Sequence, residues 1–256
     1  MLSLCFTTYN VSHIVEESME SIILPLIKSG YEFELSIVDN LSTDDTTQII
    51  RKIQKKYKIE VNLYSKKCVR GVGRQEAVNR AKGDYVIIGM DLDQVYSNDW
   101  ISFIDEFFKE PISPLFAIPD MAWASYFAIM PKDLALKNPM LPVNIGEDLE
   151  YKERIYKKAK CRIMHGNFVL KHIHGKMHKN LLNRLRNLFY DLRDHIVLGY
   201  APLTIIADRI FIEKRNLLYI TLYVFFMPYA ILSALTFYRL DYERIFTSGW
   251  YRKKNR

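Results

Sequence analysis

Short apolar runs alternate with helical patterns along the first 90 residues. The helical segments repeat apolar positions three or four residues apart, as in Val15, Met19 and Ile22. Strands that alternate with helices in this way are typical of a parallel sheet with helices on both faces. The pattern predicts strands at residues 2–7, 35–38, 61–64 and 85–89, and helices at residues 13–29 (kinked at Pro25), after a capping box at residues 42–45, and at residues 73–81.

Polar residues follow three of these predicted strands. Thr8-Tyr9-Asn10 follows the first strand, Asp39 ends the second, and Asp91-Leu92-Asp93 follows the strand at residues 85–89. Open α/β sheets bind ligands beyond the carboxyl ends of their strands. The sequence therefore predicts that polar groups from three separate segments converge on one cleft.

The pattern is less regular beyond residue 97. Apolar spacing predicts one amphipathic helix, and a Gly-Glu-Asp sequence opens another. The predicted elements are an amphipathic helix at residues 100–108, loops and brief strands at 111–146, a helix from Gly146 to about Lys158, a long basic helical stretch at 180–215, and a charge-free apolar stretch at 217–238.

Composition limits the class of protein. The chain has 256 residues, enough for one or two domains, and a formal net charge of +7. A basic balance suits nucleic acid, anionic lipid or a phosphorylated substrate, but no nucleic-acid-binding motif is present, so we expect no nucleic acid partner. Three cysteines without a CxxC pair argue against a disulfide framework or a structural zinc site. They favour a reducing compartment, and the absence of a secretory signal before Thr7 favours the cytoplasm.

Asp91 and Asp93 are the clearest candidates for binding a metal. Alternate side chains of an extended segment share a face, so both carboxylates can point into the same space. Their repulsion would be relieved by Mg²⁺ or Mn²⁺, which favour oxygen ligands and often bridge carboxylates to substrate phosphates. The alternative is a pair of solvated aspartates in a turn. The position directly after a buried strand favours the metal site.

Asp39 ends the second predicted strand. An acidic side chain there can accept hydrogen bonds from the base or ribose of a nucleotide. The alternative is an aspartate that only forms the turn. Helix capping is the simpler role for Asp44, Asp45 and Thr46.

Five short motifs follow one another over roughly residues 1–175. Each is weak alone, but their order and spacing together are specific. They are Cys5-Phe6-Thr7-Thr8-Tyr9-Asn10, Val38-Asp39-Asn40-x-Ser42-x-Asp44-x-Thr46, Gly73-Arg74 through Ala81-Lys82-Gly83-Asp84-Tyr85, Asp91-x-Asp93 and Glu147-Asp148.

In order and spacing, these motifs resemble the family 2 glycosyltransferases, which have the GT-A fold. The resemblance implies a nucleotide pocket at the first three motifs and a metal held by Asp93 together with Asp91. Two departures, Asn40 in place of a second aspartate and Gln75 in place of an asparagine, bear on nucleotide preference more than on fold. The predicted donor-binding residues are Thr8, Tyr9, Asn10, Asp39, Arg74 and Asp91.

Glu147 and Asp148 match the pair at a helix start where this family places its catalytic base. We expect Asp148 to take the proton of the acceptor hydroxyl and Glu147 to contact the acceptor or the sugar. Direct displacement by that oxygen inverts the anomeric centre. The alternative for both residues is simple complementarity with the helix dipole. A lipid-phosphate acceptor is already an anion, and Asp148 would then only position it.

Four histidines cluster at residues 165–178. His172 or His174 could supply a third metal ligand or a hydrogen bond to the leaving phosphate, since neutral imidazole suits Mn²⁺ better than Mg²⁺. Lone histidines are more often structural. The predicted metal ligands are Asp91, Asp93 and His174.

The apolar stretch at residues 217–238 has about the length that crosses a bilayer. The flank after it is more basic than the flank before it, which opposes a single crossing with the enzyme inside. We therefore predict a monotopic or re-entrant anchor at the cytoplasmic face of the membrane, as a hairpin broken at Pro228 or a helix in the interface. Arg184, Arg186 and Arg193 on the preceding basic helix fit an anionic surface. The alternatives are a buried core helix at 217–238 and a solvated helix before it.

The sequence as a whole predicts a GT-A domain at residues 1–178, with a nucleotide-binding half at 1–95 and an acceptor half at 96–178. A helical, membrane-associating region at 179–256 follows. The expected function is transfer of one sugar, with inversion, from a nucleotide-diphosphate donor to a lipid-linked or glycan acceptor, with Mn²⁺ or Mg²⁺. Alternatives are a polyprenyl-phosphate monosaccharide synthase and a non-catalytic nucleotide-sugar-binding scaffold. The sequence has no glycine-rich loop near its first strand, which argues against a metal-dependent nucleotidyltransferase. It has no Gln-x-x-Arg-Trp segment, which argues against a processive synthase. The chain could also form a homo-oligomer.

Overall fold

A computed structural model describes residues 1–118, 127–144, 146–173, 181–198, 202, 205 and 217–238. The chain divides into two compact units. The first comprises Met1–Pro142 with Tyr151–Gly175, and the second comprises Val143–Glu150 with Lys176–Arg256. The predicted domain boundary at residues 178–179 stays a prediction.

A seven-stranded sheet forms the centre of the first unit, in the order β3-β2-β1-β4-β7-β6-β8. The pairs β3–β2, β2–β1, β1–β4 and β6–β8 are parallel, whereas β7 runs antiparallel to both β4 and β6. This confirms the α/β class and the mostly parallel sheet. The strands are β1 Leu2–Thr8, β2 Phe33–Asp39, β3 Glu60–Ser65, β4 Tyr85–Ile88, β5 Gln94–Tyr96, β6 Leu115–Ile118, β7 Phe127–Pro131, β8 Arg162–His165 and β9 Val169–His172, with β5 and β9 forming a separate two-stranded sheet.

The strands differ from the sequence-based bounds mainly at their carboxyl ends. Thr8 and Asp39 belong to strands because they are Cα partners in the parallel ladder of β1 and β2. β4 ends before Gly89, whose φ of 90° lies outside the usual range of a strand. The helices are α1 Val15–Ser29, α2 Thr46–Tyr57, α3 Arg70–Arg80, α4 Ile101–Phe108 after a 3₁₀ turn at Asn98–Trp100, α5 Lys132–Lys137, α6 Glu147–Lys158, α7 Leu181–Val197 and α8 Leu217–Tyr238.

The capping box predicted at residues 42–45 does not form. Asp45 is the N-cap of α2 but makes no hydrogen bond through its side chain. Asp44 performs the capping instead, because its carboxylate accepts the backbone N–H of Thr46 at 3.1 Å. Its second oxygen accepts the backbone N–H of Ser12 at 3.0 Å, so the same carboxylate also joins two loops.

Two apolar layers cover the two faces of the sheet. Leu2, Leu4 and Phe6 of β1 are buried with the apolar sides of α1, α2 and α4. Cys5, on the opposite face of the same strand, is buried in a second cluster with Ala77 of α3. Alternate residues of a strand point to opposite faces, so a strand covered on both sides carries a continuous apolar run. This burial on both faces fixes where the polar ends of the strands emerge.

The second unit contains helices α7 and α8. Pro228 lies inside α8 and the helix continues through it, so the hairpin predicted to break at that residue is not formed. Within the ranges that the structure describes, no helix is long and apolar enough to cross a membrane. The interfacial anchor stays a prediction, and the basic tail after residue 238 lies outside the described residues, as does most of 199–216.

Replacing Gly83 with alanine tests the packing at the amino-terminal edge of the sheet. A Cβ at this position would lie 2.6 Å from the carbonyl oxygen of Met1 and 2.7 Å from Ser3 Oγ. Because one of these atoms belongs to the backbone, the chain must shift, and we expect Gly83→Ala to lower the free energy of unfolding by about 1–3 kcal/mol. Urea unfolding measures the change.

Gly30→Asn is the matched control for this substitution. A Cβ on Gly30 meets nothing within 4 Å, and asparagine tolerates its left-handed φ of 73° better than other residues do. An equal loss of stability in both variants would contradict a specific effect of the close approach at Gly83.

Candidate active site

The carboxyl edge of the sheet brings together the loops that carry the predicted donor-binding residues. Thr8 and Asp39 lie side by side at the ends of β1 and β2, and the backbone N–H of Asn40 donates to the Thr8 carbonyl at 2.8 Å. β4 pairs with β1 on the other side, and the segment with Asp91 and Asp93 follows it. The predicted convergence of these three segments at one edge is therefore observed.

Asp39 is buried and forms a tight turn. Its carboxylate accepts the backbone N–H of Ser42 at 2.9 Å and the Ser42 hydroxyl at 2.5 Å. This geometry fixes the direction of the carboxylate at the strand end. A carboxylate has about four acceptor positions, so hydrogen bonds from a ligand remain possible beside those from Ser42. Its role in nucleotide binding stays a prediction.

Asn10 joins the first two loops of the edge. It adopts a left-handed φ of 52°, its N–H donates to Ser42 Oγ at 2.9 Å, and its side-chain oxygen accepts the N–H of Thr43 at 2.8 Å. Asn10 thus positions the loops around the predicted pocket. The neighbouring ring of Tyr9 is 47% exposed, which leaves an aromatic face open beside the strand end.

Two buried oxygen atoms at this edge accept or donate no hydrogen bond among the described residues. They are Thr8 Oγ1 and Asp93 Oδ1. A buried polar atom without a partner costs free energy, so native proteins satisfy such atoms with water, an ion or a ligand. Both atoms belong to residues that the sequence assigned to the donor or the metal.

Asp91 is paired with Arg74 of α3. The guanidinium donates to the Asp91 carboxylate at 2.7 Å, and only 2% of the Arg74 side chain is exposed. Burial by itself raises the pKa of the Asp91 carboxyl. The charges of Arg74 and Arg70 and the hydrogen bond from Arg74 outweigh burial, so this pKa lies below its ordinary value.

Gly73 makes this ion pair possible. A Cβ there would lie 2.4 Å from Thr7 Oγ1 and 3.1 Å from Cys68 Sγ, so only glycine lets α3 approach β1 this closely. The Arg74 side chain is thereby brought next to the strand ends. The close packing of α3 against β1 thus explains the glycine of the Gly73-Arg74 motif.

Tyr96 is a site residue that sequence reasoning missed. Its buried hydroxyl accepts the backbone N–H of Asp91 at 2.9 Å and donates to the Gln94 side chain at 2.8 Å. Burial raises the pKa of the phenol well above its ordinary value, so Tyr96 stays protonated and can donate. No sequence signal indicates this contact, because it depends on the turn that folds β5 back towards Asp91.

His172 lies beside Asp93. The pairing of β5 with β9 places His172 opposite Gln94, and its Nε2 lies 3.3 Å from Asp93 Oδ2. The hydrogen bond with Asp93 raises the pKa of His172, although burial opposes it. His174, the predicted metal ligand, lies outside the described residues.

The described residues around Asp93 supply only part of a binding site for a divalent cation. Among the described residues, no group of three or more His, Cys, Asp or Glu side chains is arranged to hold a metal ion. The charge of Asp91 is already compensated by Arg74, which departs from the expectation that two repelling aspartates need a cation. Asp93 Oδ1 still fits a cation, because a buried carboxylate oxygen without a partner is a suitable ligand.

Glu147 and Asp148 begin helix α6 and belong to the second unit. Glu147 is buried and Asp148 is half-buried. Acidic residues in a first turn complement the helix dipole, which is the alternative stated from sequence. Their roles in catalysis stay predictions.

Asp194 of α7 anchors the segment that leads into this pair. It is fully buried, accepts the backbone N–H of Asn144 at 2.8 Å, and pairs with Arg193 at 2.7 Å. Gly146 packs against Leu198, where a Cβ would approach the Leu198 side chain to 2.6 Å. Sequence reasoning missed Asp194, which reads as one more charge on a basic helix.

The fold and the edge define the class: an α/β domain of the GT-A type, with polar loops gathered where such sheets bind nucleotides. Residues 3–119 match the family model described as Glycosyl transferase family 2. This match confirms the resemblance that the motifs predicted: over these residues the chain is similar to the family 2 glycosyltransferases.

Two of the known proteins that are similar to the chain are bacterial. The poly(ribitol-phosphate) beta-N-acetylglucosaminyltransferase TarS of Staphylococcus aureus is 31% identical over 112 residues, which are 41% of this chain and 19% of TarS. A putative teichuronic acid biosynthesis glycosyltransferase, TuaG of Bacillus subtilis, is 30% identical over 111 residues, 43% of this chain and 42% of TuaG. The chain thus spans less than half the length of either relative.

Solved structures show the same fold. The mannosyltransferase PcManGT of Pyrobaculum calidifontis, in complex with GDP-Man and Mn²⁺, has a TM-score of 0.58 at 13% identity, covering 94% of this chain and 75% of that one. TarS residues 1–349 in complex with UDP have a TM-score of 0.53 at 17% identity, covering 75% of this chain and 64% of that one.

Breaking the Arg74–Asp91 pair should destabilise the domain. Arg74→Met leaves the Asp91 carboxylate without its partner, and because Asp91 is partly exposed we expect a loss of about 2–3 kcal/mol in the free energy of unfolding. The double variant Arg74→Met/Asp91→Asn removes both charges and should recover part of that loss. Urea unfolding of the wild type, both single variants and the double variant gives the coupling. Additive losses would contradict a stabilising charge pair.

Proposed function

We propose that this chain is a metal-dependent, inverting glycosyltransferase that moves one sugar from a nucleotide-diphosphate donor to a membrane-associated acceptor. The observation that carries the proposal is the pair of buried oxygens, Thr8 Oγ1 and Asp93 Oδ1, which have no partner among the described residues. They lie where α/β sheets bind nucleotides, in a domain of a glycosyltransferase family. We place the protein at the cytoplasmic face of the membrane.

The known relatives support a nucleotide-sugar donor and a cation. By their names, TarS transfers N-acetylglucosamine to a polymer of ribitol phosphate, and TuaG acts in teichuronic acid biosynthesis. The TarS structure holds UDP, and the PcManGT structure holds GDP-Man with Mn²⁺. For this chain we therefore propose a uridine or guanosine diphosphate sugar as donor and a glycan or lipid-linked acceptor.

At the donor side, the residues of the carboxyl edge would bind and orient the nucleotide. Asp39, held by Ser42, would accept hydrogen bonds from the ribose or base, and the exposed ring of Tyr9 would offer a face for stacking. Asp93 would hold Mn²⁺ or Mg²⁺, with His174 as a further ligand. When bound, the cation stabilises the negative charge that develops on the diphosphate as its bond to the sugar breaks.

Asp91 would act indirectly, by holding the turn that carries Asp93. Its carboxylate is fixed by Arg74, and its backbone N–H is fixed by the hydroxyl of Tyr96. These two contacts hold the start of the Asp91-Leu92-Asp93 turn. Asp93 is thereby presented at the edge with one oxygen free of contacts from the described residues.

At the acceptor side, Asp148 would act as general base. It takes the proton from the acceptor hydroxyl while that oxygen bonds to the anomeric carbon. The bond between the anomeric carbon and the diphosphate breaks, and the nucleoside diphosphate leaves with the electron pair of that bond. A single displacement of this kind inverts the anomeric centre. With a polyprenyl phosphate as acceptor no proton has to be removed, and Asp148 would only position the phosphate.

Asp93→Ala tests the donor and metal site. We expect the variant to lose the thermal stabilisation that Mn²⁺ with UDP or GDP gives the wild type, and to lose about 10²–10³-fold in turnover, because an electrostatic contact to the leaving group is removed. Differential scanning fluorimetry and donor hydrolysis measure the two effects.

Asp99→Ala is the control for this test, because Asp99 is an exposed carboxylate six positions further on. It should behave as the wild type. Full Mn²⁺-dependent stabilisation of Asp93→Ala would contradict the assignment of the site, and stabilisation without any turnover in the wild type would favour a non-catalytic scaffold.

Asp148→Asn tests the general base. The variant should bind the donor as the wild type does, but transfer to a hydroxyl acceptor should fall by about 10²–10⁴-fold, since asparagine cannot take the proton. Single-turnover assays with a hydroxyl acceptor measure transfer, and Glu153→Gln on the same helix serves as control. Undiminished transfer would exclude Asp148 as the base for that acceptor.

A further inference from the structure

Helices α7 and α8 enclose an open groove in the second unit. Its volume is about 890 Å³, within the range of about 300–1,000 Å³ that is usual for sites of small apolar ligands. Neither the donor site nor the acceptor base uses it. Its walls are largely aromatic and aliphatic, and they include Phe189, Tyr190, Phe225, Phe226, Tyr229 and Leu232.

The wall formed by α8 exposes large apolar side chains. Phe225 is 61% exposed, Tyr229 58% and Leu232 63%. These residues are four and three positions apart, so they follow one another along one face of the helix. α8 carries no charged residue between Leu217 and Tyr238. A continuous and exposed apolar face of this kind marks a site of interaction.

Helix α7 brings two arginines towards the groove, and the charge of one of them is compensated by Asp194. Arg193 lines the groove, lies over the ring of Tyr190 at 4.6 Å, and pairs with the buried Asp194. Arg186 is exposed, and it lies one turn before Tyr190 and two turns before Arg193, on the same face of α7. No described residue forms a hydrogen bond or ion pair with Arg186.

We propose that this groove binds a hydrocarbon chain of an anionic membrane phospholipid, with the phosphate of the headgroup facing Arg186. The uncharged wall of α8 matches the chain, and the cationic edge of α7 matches the headgroup. Tyr and Phe are common where proteins meet the bilayer interface, and basic residues beside them favour anionic lipids. The proposal deepens the proposed function, on which it rests for the membrane-associated acceptor.

The groove is physically connected to the segment of the acceptor base. Arg193 lines the groove and donates to Asp194, whose other oxygen accepts the N–H of Asn144. Asn144 lies three residues before Glu147, in the same compact unit. The buried carboxylate of Asp194 therefore links a residue of the groove to the segment that carries Glu147 and Asp148.

Vesicle flotation of the full chain tests the proposal. We use vesicles of phosphatidylcholine alone and vesicles in which about one lipid in four is phosphatidylglycerol. The wild type should float with the anionic vesicles. Leu232→Ser should weaken this partition about tenfold through lost apolar contact, and Arg186→Gln should remove the preference for phosphatidylglycerol.

Val224→Ser is the matched control. Val224 is 53% exposed on the same helix but does not line the groove, so its replacement should change the partition less than about twofold. Equal losses for Val224→Ser and Leu232→Ser would show that α8 meets the bilayer with its whole surface, which overturns a specific groove.

Two further outcomes would overturn the proposal. Wild type that fails to float with either vesicle has no lipid site of this kind. Wild type that sediments as a dimer, with Leu232→Ser a monomer, would identify a second copy of the chain as the occupant.

Asp93→Ala separates this proposal from the proposed function. The variant should float with anionic vesicles as the wild type does, because the groove contains no residue of the carboxyl edge. Intact lipid binding in a protein without transferase activity would therefore support the lipid site and contradict only the proposed transferase function.

Discussion

The parallel register of β1, β2 and β4 is the constraint on which the candidate site depends. Thr8 and Asp39 are direct neighbours in the ladder, and β4 pairs with the other side of β1. Three strands that run in the same direction must release their following loops at the same edge. The buried apolar layers on both faces of the sheet hold that register, because a slip of one residue would turn each apolar side chain to the opposite face. Packing of the core thereby places polar groups that are far apart in sequence.

The two aspartates at this edge differ in how far other groups compensate their charge. Asp91 is compensated by a buried arginine and oriented from the backbone side by Tyr96, whereas Asp93 keeps a buried oxygen without a partner among the described residues. One carboxylate therefore serves the structure of the turn, and the other is the one for which we propose a ligand. The close approach of Gly73 to Thr7 belongs to the same arrangement, since it brings Arg74 to the strand ends.

The sequence predicted the elements that depend on local pattern. Four parallel strands, the helices between them and the gathering of Asp39, Asp91 and Asp93 follow from apolar periodicity and from motif order. It could not predict contacts that arise from turns between elements: the hydroxyl of Tyr96 at Asp91, the imidazole of His172 at Asp93, and Asp194 at the segment before Glu147. The capping box did not form because the Ser42 side chain bonds Asp39 and Asn10 instead, partners that sequence spacing does not reveal.

We propose that Asp93 and the neighbouring strand ends bind a divalent cation together with a nucleoside diphosphate. The most direct measurement is a crystal structure of the protein with Mn²⁺ and UDP or GDP, in which anomalous scattering locates the metal. We expect Mn²⁺ within bonding distance of Asp93 Oδ1, with the diphosphate beside it and the nucleoside near Tyr9 and Asp39. Metal and nucleotide bound away from this edge, with Asp93 Oδ1 satisfied by another protein group, would contradict it.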